Sequence, residues 1–144
     1  MAKLKSETII IKGDPILKEG EASEVLMPGH LIEVGGSKDF RKQTTLFSGE
    51  CRRFWALEND LVGKDITEPY AVSERVRAGS FHKGQEVNAR LAANAVAIVK
   101  GEAIAANGGG TVKKHTTGAV IGYAMESIDN HASSSEAFIV IEVA

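Results

Sequence analysis

The segment EVNARLAANAVAIVK, residues 86–100, decides the fold class, because its alanine and leucine content favours a helix. Its β-branched residues, Val87, Val96, Ile98 and Val99, favour strands instead, and Asn94 stands where a hairpin would turn. We therefore expect a strand, a turn and a second strand here. With this segment assigned, the chain is predicted to be all-β.

The segments on either side support this prediction. They are short, rich in Val, Ile, Thr and aromatic residues, and bounded by Gly, Asn or Asp. The clearest predicted strands are residues 8–12, 31–34, 54–58, 75–81, 86–92, 119–127 and 137–143; weaker ones are 44–47, 95–99, 103–106 and 111–114. Residues 59–70 are predicted to be a connecting loop, and residues 107–110 a tight turn.

Two strands carry patterns that predict their surroundings. In residues 75–81, Val76, Ala78 and Ser80 alternate with Arg75, Arg77 and Gly79, so one face of the strand should be exposed to solvent. Residues 137–143 are apolar on both faces for most of their length, which predicts a central strand of a closed barrel or a strand pressed against another subunit. Residues 28–144 are therefore predicted to form a single small β-barrel or barrel-sandwich domain.

Residues 1–27 differ from this body. The apolar run Ile9, Ile10 and Ile11 is followed by a break at Gly13-Asp14-Pro15 and by the polar stretch KEGEASE, residues 18–24, which is predicted to be weakly structured. The region is either an extended N-terminal arm or a first barrel strand followed by a polar spacer. Such a strand cannot bury its own apolar faces, so it should dock on its own sheet edge or on a neighbouring molecule.

Composition and charge exclude several classes of protein. The chain has 144 residues, 43% hydrophobic and 25% charged, and a net charge of -2. This is the profile of a globular domain without a membrane span, and without the clustered cationic surface that nucleic-acid binding needs. The single cysteine, Cys51, cannot form an internal disulfide, and the N-terminal sequence lacks a signal peptide pattern. We expect a protein made in a reducing cytoplasm.

No motif predicts catalysis, a cofactor or a metal. The four histidines, His30, His82, His115 and His131, lack metal-ligand spacing and lie in predicted turns, so we expect them to be exposed to solvent. Phosphate-loop and nucleophile-elbow motifs are absent from the sequence, and the carboxylate pairs lie in predicted turns. The chain is predicted not to be an enzyme.

Phe54 and Trp55 are adjacent large aromatic residues in a predicted strand. On alternating faces, one ring should pack in the core and the other should face outward as a contact for a partner. The predicted partner contacts are therefore Thr8, Ile9, Ile10, Ile11, Phe54 and Trp55.

Taken in order, the glycine turns and apolar strands resemble the head decoration, or capsid cement, proteins of tailed bacteriophages. The resemblance covers about residues 25–143 and is carried by short motifs: PGHLIE (28–33), WALEN (55–59), GKDI (63–66), Tyr70, RV (75–76), GQEVNARL (84–91), VKGEAI (99–104) and IGYAME (121–126).

The resemblance implies a non-enzymatic β-barrel that binds the outer surface of the assembled phage capsid and stabilises it. Its partners would be the major capsid protein and further copies of itself, as a trimer rather than a dimer, with neither nucleic acid nor membrane involved. The family has no catalytic residues to carry over. In this chain Ile9, Ile10 and Ile11 are then expected to add a strand to the capsid or to an adjacent subunit.

Two alternatives have weaker support. Residues 97–104 and 123–126 resemble turns of biotinyl or lipoyl carrier domains, but Glu126 stands where those domains carry the modified lysine. A carbohydrate-binding β module would use surface aromatic residues such as Trp55 and Tyr70.

Overall fold

The computed structural model describes residues 8–44 and 52–144. Strand is the dominant secondary structure of this part of the chain, and the prediction of an all-β fold is confirmed. One short 3-10 helix, Asp60–Val62, lies in the predicted loop 59–70. The strands are β1 (Ile10–Lys12), β2 (Ile16–Glu21), β3 (Ile32–Val34), β4 (Phe40–Lys42), β5 (Phe54–Ala56), β6 (Arg75–Ser80), β7 (Glu86–Leu91), β8 (Ala103–Gly108), β9 (Thr111–Lys114), β10 (Gly122–Ala124) and β11 (Ala137–Val143).

The strands form three sheets. The largest has the order β1-β7-β11-β10-β8-β9, and β9 makes a further parallel pairing with β7, between Val112 and Leu91. A second sheet has the order β2-β6-β5, and β3 pairs with β4 in a third. The β8–β9 connection confirms the tight turn predicted at residues 107–110.

The buried apolar residues form two separate cores. The large core contains Trp55, Phe81 and the inward residues of β7 and β11, such as Val87 and Ile141. The small core contains nine buried residues: Ala22, Leu26, Ile32, Phe40, Phe54, Ala56, Tyr70, Val76 and Ala78. In β6, Val76 and Ala78 are buried and Arg75 is exposed, as the alternation of residues 75–81 predicts, but Gly79 on the face predicted to be exposed is buried.

Strand β5 joins the two cores. Phe54 and Ala56 face the small core, and Trp55 faces the large core, where its ring meets that of Phe81 edge to face at a centroid distance of 5.5 Å. The prediction that either Phe54 or Trp55 faces outward is therefore wrong. Alternation places their side chains on opposite faces of the strand, but each face is covered by its own core.

Three other predictions need correction. Part of the polar stretch predicted to be weakly structured lies in β2, which pairs along its length with β6. Residues 95–99 form only an isolated bridge, Ile98 to Ile128, instead of a strand. The strand predicted at residues 119–127 is confined to β10. Residues 45–47 of the predicted strand 44–47, and Cys51, lie outside the described residues.

Candidate partner-binding site

The predicted contact residues 8–11 lie at the edge of the large sheet. Strand β1 is the first in the sheet order and pairs antiparallel with β7, with Ile10 opposite Val87. Ile9 is fully buried in the large core, Ile10 and Ile11 are half-buried, and Thr8 is exposed. In this chain the apolar strand therefore docks on its own sheet edge.

The main chain of β1 is held from two sides. The Ile9 N–H donates to Glu58 Oε2 at 2.8 Å, and the Ile9 carbonyl accepts from the Asn88 N–H at 2.8 Å. Hydrogen-bonded and non-hydrogen-bonded pairs alternate along antiparallel strands, and the bond between Asn88 and Ile9 makes the next pair, Ile10 and Val87, non-hydrogen-bonded. The N–H and C=O of Ile10 therefore face away from β7. The Thr8 hydroxyl donates to that carbonyl at 2.9 Å. Among the described residues, the Ile10 N–H lies on the outer edge of the sheet.

Glu58 is the carboxylate that anchors β1. Burial is the largest influence on its pKa and raises it, helped by the nearby Asp60, while the bond from the Ile9 N–H opposes the change. The carboxylate therefore accepts a main-chain hydrogen bond at the cost of partial desolvation. Glu58 was not among the predicted partner contacts, because no motif connects it with position 9.

Phe54 and Trp55, the other two predicted contacts, lie in the cores. Trp55 is completely buried, and Phe54 keeps 6% of its surface exposed. The Lys18 ammonium lies 5.8 Å and the Arg52 guanidinium 5.6 Å from the centre of the Phe54 ring. Tyr70 is also buried, and its hydroxyl donates to the Leu57 carbonyl at 2.6 Å. Trp55 and Tyr70 therefore do not provide the surface aromatics of a carbohydrate-binding module.

A turn at residues 27–30 connects the sheets. The His30 N–H donates to the Met27 carbonyl at 3.0 Å across Pro28-Gly29, with Gly29 at φ +88°, as in a type II turn. The Gly29 N–H donates to Ala56 of β5 at 2.8 Å, and its carbonyl accepts from Arg90 of β7 at 3.0 Å. The turn thus links β5 with β7.

His30 is buried rather than exposed, so the prediction for this histidine is wrong. Its Nδ1 accepts the Met27 N–H at 3.1 Å, which places the ring proton on Nε2, and Nε2 donates to Glu136 Oε1 at 3.1 Å. Burial lowers the pKa of His30 from 6.5 to about 4, against the attraction of Glu136. The turn residues alone predicted exposure, because nothing in the sequence relates His30 to Glu136, 106 positions away.

Arg90 completes this buried polar cluster. Its Nε donates to the Pro28 carbonyl at 2.7 Å and its Nη2 to the Ile66 carbonyl at 3.0 Å, while Nη1 lies 3.5 Å from Glu136 Oε1. The guanidinium also lies 4.6 Å from the centre of the Phe138 ring. These bonds tie the turn, the loop 59–70 and the start of β11 together.

The remaining chemistry is sparse. His82 and His131 are exposed as predicted, and His115 is half-buried. Among residues 8–44 and 52–144, no three His, Cys, Asp or Glu side chains come together in a way that could hold a metal ion. The same residues contain no helix with the length and apolar character needed to span a bilayer. No protein-family model matches the chain, and no curated protein matches it in sequence.

Proposed function

We propose that the protein is a non-enzymatic structural component of a phage virion, which binds the outer surface of the assembled capsid and stabilises it. It is made in the host cytoplasm, and its partners are the major capsid protein and further copies of itself, as a trimer rather than a dimer. The observation that carries the proposal is β1: an isoleucine-rich strand forms the edge of the largest sheet. An edge strand is the part of a sheet to which another chain adds a strand.

The geometry of β1 supports this role. Ile9 anchors the strand in the large core, and Glu58 and Asn88 bind its main chain, so the edge is held in place before any partner arrives. Ile10 directs its N–H outward. A rigid edge loses less conformational entropy on binding than a free arm.

We also propose that the body is a small barrel. The support is the pairing of β9 with two strands, β8 on one side and β7 on the other, which brings the end of the large sheet back to its second strand. A closed body of this kind resists deformation. A protein that binds only the closed capsid lattice, across several subunits, stabilises that lattice by linkage.

The proposal is tested by co-sedimentation with tailed-phage capsids that lack decoration. The wild-type protein should pellet with expanded capsids. Deleting residues 1–12 is a poor test, because it removes the buried Ile9 and destabilises the body. Ile10→Pro is sharper, since proline removes the outward N–H and leaves the Ile9 to Asn88 bond in place.

Ile10→Val, which keeps the N–H, is the matched control for Ile10→Pro. A second variant, Ile10→Lys, puts a charge on the edge without changing the main chain. We expect Ile10→Pro and Ile10→Lys to reduce capsid occupancy at least tenfold. Because Ile10 packs half-buried against the large core, both are compared with Ile10→Val at a temperature at which circular dichroism shows all three folded. Unchanged occupancy in both variants would remove β1 as the contact, and a wild-type protein that ignores capsids would overturn the proposed function.

A further inference from the structure

A cavity of about 330 Å³ lies between the segment that follows β7 and the end of β9. We call it the alanine cavity, because Ala92 and Ala93, with Val96, form much of its apolar lining. Val96 is 64% exposed although it lines this concave surface. A pocket of this size and polarity is typical of a binding site.

The polar side of the alanine cavity is positively charged. Lys113 and Lys114 line it, and Lys114 pairs with Glu102 at 2.7 Å. Lys113 forms no ion pair within the part of the chain that the structure describes. The cavity therefore fits an apolar group that has a carboxylate beside it.

The 3-10 helix Asp60–Val62 has the opposite properties. We call it the 60–62 tip. Leu61 is 75% and Val62 65% exposed, although both are aliphatic. The loop around them is acidic on balance, with three carboxylates, Asp60, Asp65 and Glu68, and one lysine, Lys64, in residues 59–70.

Several contacts hold the 60–62 tip in place. The Gly63 N–H donates to the Asp60 carbonyl at 3.1 Å, and Asp60 forms an ion pair with Arg77 of β6. Lys64 pairs with Glu74 at 3.3 Å. Because these contacts already fix the main chain of the turn, little backbone conformational entropy is lost when Leu61 and Val62 are buried by a partner.

We infer that the 60–62 tip of one copy inserts into the alanine cavity of a second copy, with the acidic loop facing Lys113. This inference rests on one part of the proposed function, the association of the protein with further copies of itself, and not on capsid binding. Leu61 and Val62 supply the apolar contact, and Asp65 and Glu68, which form no ion pair within the described residues, supply charge that the cavity lacks. Each copy gives its tip to one neighbour and receives the tip of another in its cavity, so the interface is head-to-tail and generates a ring where its rotation closes.

The test is the mass of the full-length protein by light scattering during size-exclusion chromatography. The wild type should be a multiple of the chain mass. Leu61→Asp with Val62→Asp removes the tip, and Ala93→Phe with Lys113→Glu blocks the cavity. Each double variant should fall to the mass of a single chain, because one of the two complementary surfaces is lost.

Mixing the two variants separates this interface from other arrangements. The tip variant keeps an intact cavity, and the cavity variant keeps an intact tip. An equimolar mixture should therefore form a species of two chains, joined through one intact interface. An interface of tip with tip, or of cavity with cavity, would not be restored in this way, and a mixture that stays monomeric overturns the inference.

Val25 lies outside the tip and the cavity and is 50% exposed. Val25→Asp therefore controls for the effect of placing a charge on an exposed valine, and it should keep the wild-type mass. Circular dichroism establishes that each variant is folded. A wild type that is monomeric at every concentration, or tip variants that keep the wild-type mass, also contradicts the inference. A monomer that still pellets with capsids would leave the proposed capsid binding standing, while this interface and the proposed self-association both fail.

Discussion

Position 29 requires glycine for two reasons. Its φ of +88° lies in the left-handed region, and a Cβ there would lie 2.9 Å from the Phe138 ring and 3.1 Å from the Asn88 carbonyl oxygen. The neighbours cannot move easily, because Arg90 and the Gly29 main chain bind the turn to β7.

Gly29→Ala should therefore lower the free energy of unfolding by about 2–4 kcal/mol, from backbone strain together with overpacking. Gly63→Ala is the matched control: its φ is +77°, but its Cβ would meet nothing within 4 Å. It should cost about 1 kcal/mol, from backbone conformation alone. Urea denaturation of both variants measures the difference, and equal losses would contradict the role of packing at Gly29.

His30 should make the protein less stable in mild acid. Its pKa is lowered from 6.5 to about 4 by burial, with Arg90 and Lys42 acting in the same direction and Glu136 in the opposite one. The folded state then binds fewer protons than the unfolded state, so the stabilisation is complete above pH 6.5 and declines as the pH falls to about 4. The expected decline is roughly 1.4 kcal/mol per pH unit within that window.

His30→Gln removes the titration and places an amide near the position of Nε2, where it can donate to Glu136. Its free energy of unfolding should change less between pH 7 and pH 4.5 than that of the wild type, measured by urea denaturation at each pH. His82→Gln replaces an exposed histidine and should follow the wild type. A His30→Gln profile as steep as that of the wild type would assign the acid sensitivity to other groups.

At the scale of elements, the docking of β1 depends on Glu58. Glu58→Ala removes the acceptor of the Ile9 N–H and should cost about 1–2 kcal/mol. Glu58→Gln keeps an acceptor and removes a desolvated charge, so it should be as stable as the wild type or slightly more stable at pH 7. Hydrogen exchange of residues 9–12 should speed up in Glu58→Ala only.

The pH dependence of Glu58→Gln has a definite sign. The folded-state pKa of Glu58 is raised above 4.5, so protonation favours the folded state. That favourable contribution is present below pH 4.5 and is lost as the pH rises through the folded pKa. The advantage of Glu58→Gln over the wild type should therefore shrink on acidification. A Glu58→Gln variant as unstable as Glu58→Ala would contradict this account.

Sequence patterns predicted the strands in which apolar residues alternate with others. They did not predict strands that are mostly exposed and form only because they pair with a neighbouring strand. Strand β6 was predictable from Val76 and Ala78, and β7 from Val87 and its neighbours. Strand β2 has the sequence ILKEGE with only one buried residue, and it is a strand because β6 binds it. Likewise β4, Phe40–Lys42, is too short for a periodic pattern and depends on β3.

The candidate partner-binding site was also only partly predictable from the sequence. The isoleucine run indicated a docking strand, but the partner that it meets in this chain, β7, lies almost eighty positions away, with Ile10 opposite Val87. The pattern of residues 54–55 gave the alternation of faces correctly but not the presence of a second core. A histidine beside a turn gave no sign of the carboxylate at residue 136. Each of these depends on tertiary contacts, which a local pattern does not specify.

At the scale of the whole molecule, the two cores are joined by a shared strand and a shared turn. In β5, Trp55 belongs to the large core and Phe54 to the small core. The turn at residues 27–30 binds β5 through Gly29 and β7 through Arg90. Opening one core therefore displaces a strand of the other, so the cores should unfold together.

Fluorescence of Trp55 tests this directly, because it is the chain's one tryptophan and lies in the large core. Far-ultraviolet circular dichroism follows all sheets. In urea the two signals should give the same midpoint. Ile32→Ala, a truncation in the small core, should cost about 2–5 kcal/mol and shift both midpoints equally. If circular dichroism instead falls before the Trp55 signal changes, the small core unfolds separately and β5 does not couple the two.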